Sequence, residues 1–119
     1  MHPVALVGMG GAIGSIFRWA VAEAMPAGSG EVPWATIAVN LLGAFLLGIL
    51  MSASLQTDTL LFFGTGLLGG FTTMSTFGVE TVNLLKDDST MAAGVYLALN
   101  LMAPITAWLG WQLSEAFLV

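Results

Sequence analysis

The chain contains no cysteine, one histidine and only two basic residues, Arg18 and Lys86. Without cysteine, disulfides and thiolate metal sites are excluded. The lone histidine, His2, stands at the very start, where a solvated side chain is the ordinary reading and no second imidazole is at hand for a metal. Two bases cannot form a polybasic patch, which rules out recognition of nucleic acid or anionic lipid by that route. Charge of either sign is scarce. Charged residues make up 8% of the sequence, against about 25% in a typical soluble domain. Hydrophobic residues make up 57%. So few charges cannot cover a water-facing surface, and soluble monomers rarely tolerate the apolar patches that would result. Lipid must therefore solvate much of the outside. At 119 residues a single domain, 1–119, is expected.

What is present is a set of four long apolar segments, at about 3–25, 33–55, 60–85 and 90–113. Each is near the ~20 residues needed to cross the hydrocarbon core. The intervening MPAGSGEV, SLQTDT and KDDS are short, polar and rich in turn formers. Lipid offers no partners to backbone groups, so the segments are expected to be helices that run alternately up and down. The first segment lacks a basic leader and carries Arg18, so it is expected to be a retained span rather than a signal peptide.

Loop charge gives almost no orientation cue. Among the loops and chain ends the only Lys or Arg is Lys86, in the third loop. A protein of this kind can insert either way up, and two copies can then pair antiparallel about an axis in the membrane plane. The other reading is that a different cue sets one orientation. Small residues recur four apart: Gly10 and Gly14, Gly11 and Ser15, Ala44 and Gly48, Gly66 and Gly70. That spacing lets helix backbones approach closely, so these are expected to be packing surfaces.

The polar residues inside the spans each need a reason. Arg18 admits two: an interface anchor beside Trp19, or a positive charge that draws an anion to a vestibule. Asn40 in WATIAVNLLGAF either bonds a neighbouring helix or aims its amide at a passing anion. Tyr96 and Asn100, four apart, share one helix face and should point at protein or water, and Pro104 follows at a position suited to a bend. The densest run is GGFTTMSTFGVE, Gly69 to Glu80. In a continuous helix Thr72, Ser75 and Thr76 would share a face, with Met74 and Phe77 on another. Two glycines ahead of four hydroxyls favour instead a span interrupted near its middle, tolerated where freed backbone lines a wet cavity or is buried in protein. Free carbonyls there suit a hard cation, while amides and hydroxyls suit an anion.

Three stretches together resemble the Fluc (CrcB-type) fluoride channels: GGAIGSIFRW, WATIAVNLLGAFLLG and GTGLLGGFTTMSTFGVE, with Tyr96 and a polar residue four later in the fourth span. The resemblance covers nearly the whole chain. It implies an all-α membrane channel with four transmembrane helices per subunit, the third broken, assembled as an antiparallel dual-topology dimer with two pores. It implies passive export of fluoride across the cytoplasmic membrane, which relieves fluoride toxicity. A structural Na⁺ at the dimer centre would be held by backbone carbonyls matching Gly69 and Thr72. Pore positions match Asn40, Met74, Ser75, Thr76, Phe77, Tyr96 and Asn100, with Glu80 adjacent to the pore and Arg18 at the vestibule. Met74 stands where the family has its first pore phenylalanine, Asn100 where it commonly has serine, and Gly78 where it has serine before the glutamate. The partner is a second copy of the chain or a closely related subunit.

Two other functions fit four short spans. A small multidrug-type exporter would exchange protons for cationic drugs and needs a carboxylate within the first span. Only Glu23 is there, close to the loop, and Glu80 lies towards the end of its own span. A structural subunit with no transport would leave the Asn, Tyr and hydroxyl pattern without purpose. No residue set resembles a hydrolytic or redox site, so no enzymatic activity is expected.

Overall fold

The computed structural model describes residues 1–118; Val119, the last residue of the expected domain, lies outside the described residues. Among the described residues all regular structure is helical, and four helices are long and apolar enough to cross a membrane. The first is α1, Pro3–Ala24, whose Pro3 sits in the first turn, where no amide partner is lost. The His2 ring nitrogen Nδ1 accepts the Val4 amide at 3.1 Å and caps that end. The second is α2, Trp34–Ser52.

The third span, Thr57–Lys86, is not one rod. A single turn α3 (Thr57–Thr59) leads into a π-helical stretch, Leu60–Leu68, then a turn α4 (Gly69–Phe71). Thr72 is extended (φ −87°, ψ 158°), and helix resumes only at α5, Ser75–Lys86. The fourth span pauses as well. α6 (Thr90–Asn100) ends, Leu101 and Met102 form a turn, and α7 (Ala103–Phe117) begins with Pro104 in its first turn. Proline cannot continue a helix interior but is at home in a first turn, so Pro104 explains where the restart falls.

Two glycine seams bring the spans together. Along the first, α1 lies against the third span. A Cβ on Gly10 or Gly14 would collide with the backbone of Phe62 or Leu67, and one on Gly70 would come within 2.6 Å of the Gly11 carbonyl. Along the second, α2 lies against α7, with Gly48 on the Ala107 backbone and Gly110 on that of Phe45. Lipid tails are as apolar as leucine, so close backbone approach rather than water exclusion holds such seams. Most large apolar side chains outside them, such as Ile16, Leu42, Met91 and Ile105, are exposed, as a lipid-facing surface requires.

Gly48→Ala is expected to cost about 1–3 kcal/mol, the usual price of overpacking, because its methyl meets the Ala107 carbonyl carbon at 2.9 Å. Gly78→Ala, where no atom lies within 4 Å, should be neutral or stabilising. Apparent unfolding temperatures of the two variants in detergent check this; equal behaviour would contradict the seam.

Candidate functional site

The interruption of the third span sets the site. After Thr72 donates its amide to the Leu68 carbonyl at 3.1 Å, the helical ladder stops. The Thr73 amide turns instead to Asn40 Oδ1 at 2.8 Å, and the Thr73 carbonyl accepts from Asn40 Nδ2 at 3.0 Å. One side-chain amide on α2 therefore closes a two-point bond with one residue of the broken span, as a peptide on a neighbouring β-strand would. Glycines at 69 and 70 weaken the helix before the break, and β-branched threonines at 72 and 73 favour extended backbone. Thr72 also packs its methyl against Gly43, where any Cβ would collide with it.

Breaking a helix frees carbonyls, and the structure accounts for them individually. Arg18 Nε donates to the Gly70 carbonyl at 3.0 Å, so its charge sits at the C-terminal end of α4, where a cation is favoured. Of the two readings left open for Arg18, the contact made is with backbone inside the bundle. Thr72 Oγ1 returns to the Leu68 carbonyl at 3.1 Å. No donor among the described residues reaches the carbonyls of Gly69, Phe71 and Thr72. Gly69 is exposed on the single chain.

Against the break lies a cavity of about 280 Å³, lined by Asn40, Thr73, Met74, Phe77 and Asn100 among others. Asn40 Nδ2 also donates to Asn100 Oδ1 at 2.9 Å, and Asn100 Nδ2 donates to the Tyr96 carbonyl at 3.0 Å. Both hydrogens of the Asn40 amide are thereby engaged, while the Asn100 amide keeps one free. Met74 is 78% exposed and Asn100 only 8%. α5 begins at Ser75, next to the cavity residues Thr73 and Met74, so the positive end of its dipole lies near the break. Thr72, Ser75 and Thr76 do not share a helix face, because the break falls between them; Ser75 is exposed, and neither Ser75 nor Thr76 lines the cavity.

A second polar cluster lies one helical step away on both supporting helices. Glu80 Oε1 accepts from Thr36 Oγ1 and from the Tyr96 hydroxyl, each at 2.6 Å. Tyr96 is fully buried, so its hydroxyl is committed to this carboxylate. The Phe77 ring stacks on it at 5.3 Å with a 48° tilt. Glu80 also lines a cavity of about 340 Å³ that reaches Lys86 at the end of α5 and the loop residues Glu31 and Asp87. Phe77, Tyr96 and Glu80 thus link the two cavities by direct contact. Two residues here escaped the sequence reading. Thr36 had a signal, since it precedes Asn40 by one turn on the same face. Thr73 had none beyond its place in the hydroxyl run.

Comparison with known proteins gives the family. The family model described as CrcB-like protein, Camphor Resistance (CrcB), matches residues 5–111. A relative named Fluoride-specific ion channel FluC 1, from Halobacterium salinarum, is 41% identical over 93% of this chain and 92% of its own. Fluoride-specific ion channel FluC from Chlorobaculum tepidum is 45% identical over 82% of each chain, and that from Agrobacterium fabrum 39% identical over 90% of each. These relatives are named as ion channels rather than enzymes. On this match across nearly its whole length, the chain belongs to the CrcB family and is a multi-pass membrane protein.

Proposed function

We propose that the protein is a passive, fluoride-selective channel of the cytoplasmic membrane that lets fluoride leave the cell and so relieves its toxicity. The observation that carries this is the cavity at the interrupted third span, a mostly apolar space with one aromatic ring and a few polar side chains in its wall. Fluoride is small and holds its water tightly, so a path for it must replace hydration with close donors. The free Asn100 amide hydrogen and a hydroxyl beside the break are such donors. Phe77 presents an aromatic ring whose edge is positive, which suits an anion in a narrow dry passage. Binding must also be loose enough to release the ion. Tyr96, Thr36 and Glu80 stand beyond Phe77, towards the loop-end cavity, and form the next stage of the same path.

In this reading the working unit is an antiparallel dimer of the chain, or a pair with a closely related subunit, and Gly69 and Thr72 face the centre. Their carbonyls would hold a structural Na⁺, which supplies fixed positive charge between the subunits. The small multidrug-type reading is disfavoured because the carboxylate of the first span, Glu23, is exposed in the last turns of α1.

Liposomes holding the pure protein should pass fluoride down its gradient and retain chloride, as read by ion-selective electrodes. Proton-coupled uptake of a cationic drug with no fluoride flux would overturn the proposal. Met74→Phe, which restores a ring at the cavity wall, should preserve or raise fluoride flux in the same assay; abolished flux would remove position 74 from the path.

A further inference from the structure

We infer that the hydroxyl of Thr73 is a fluoride ligand in the cavity at the break, and that Asn40 positions it. The inference rests on the channel reading above. Four hydroxyls occupy the interrupted stretch, and three are unavailable at the cavity wall. Thr72 gives its proton to the Leu68 carbonyl. Ser75 and Thr76 do not line the cavity. Thr73 does line it. Its Oγ1 accepts the Thr76 amide at 3.3 Å, so the oxygen caps α5, and no acceptor among the described residues takes its own proton. That proton is free to turn into the cavity.

The hydroxyl is also held in place. The Thr73 backbone is pinned on both sides by Asn40, at 2.8 and 3.0 Å. The oxygen is fixed a third time through Thr76. A donor held in this way does not reorganise when the anion arrives, which is the condition for replacing hydration at little cost. Asn40 itself has no amide hydrogen to spare, since both are given to Thr73 and Asn100. Its part is therefore to position, while Thr73 and the free Asn100 amide hydrogen touch the ion.

The test compares wild type, Thr73→Ser and Thr73→Val in liposomes, with flux measured across a range of fluoride concentrations. Thr73→Ser keeps both the proton and the cap and should stay near wild type. Thr73→Val should raise the half-saturating fluoride concentration by about tenfold or more, the size of one hydrogen bond to a charged group. A purely structural role would lower the maximal flux and leave half-saturation where it was. If Thr73→Val does not purify as a folded species, Thr73→Ala removes the same hydroxyl with less bulk and carries the test. A conducting wild type with unchanged half-saturation in the variant would overturn the Thr73 assignment alone. A wild type that passes no fluoride would overturn the channel reading and this inference with it.

Discussion

The bond between Asn40 and Thr73 is the contact on which the rest of the molecule depends. In a bilayer an unpaired backbone group costs several kcal/mol, so a membrane span can stop being helical only where something else satisfies its backbone. Asn40 satisfies both groups of Thr73 with one side chain. Arg18 takes the Gly70 carbonyl from the other side. With those partners in place the chain can run extended at Thr72 and begin a new helix at Ser75. The new helix has its own N-terminus in the middle of the bundle, and a mostly apolar cavity with a few polar side chains lies against it.

The glycine seams make those contacts reachable. Arg18 touches Gly70 because α1 and the third span approach at backbone distance along Gly10, Gly11 and Gly14. Asn40 reaches Thr73 because Gly43, nearly one turn further along α2, leaves room for the Thr72 methyl. On the far side, Gly48 and Gly110 seat α7 against α2, and the Thr106 hydroxyl there donates to the Leu41 carbonyl at 3.0 Å. That seat fixes the turn between α6 and α7, and with it Asn100. Packing and polar chemistry are thus one design: small residues set the distance, and each polar side chain fills a backbone need that the distance creates.

The four spans were legible because lipid imposes a length and a composition that few other settings share. The interruption was legible in kind, since two glycines ahead of four hydroxyls are poor material for a continuous helix. Its register at Thr72–Met74 was not, because what decides it is Asn40, 33 positions away in sequence. Arg18 could be read two ways for the same reason: its partner, Gly70, is 52 positions distant. Tyr96 was legible as an inward-facing residue on the Asn100 face. That its hydroxyl ends on Glu80 depends on how α5 and α6 lie side by side, which no local pattern encodes. Thr36 could have been found by asking what stands one turn before Asn40.

Carbon chemical shifts of Gly69 to Phe77 in a lipid nanodisc test the central claim most directly, because they report backbone conformation residue by residue. Extended values at Thr72 and non-helical values at Thr73, which become helical or averaged when Asn40 is replaced by leucine, are the result this account requires. Helical values without interruption from Leu68 through Phe77 in the native protein would contradict it.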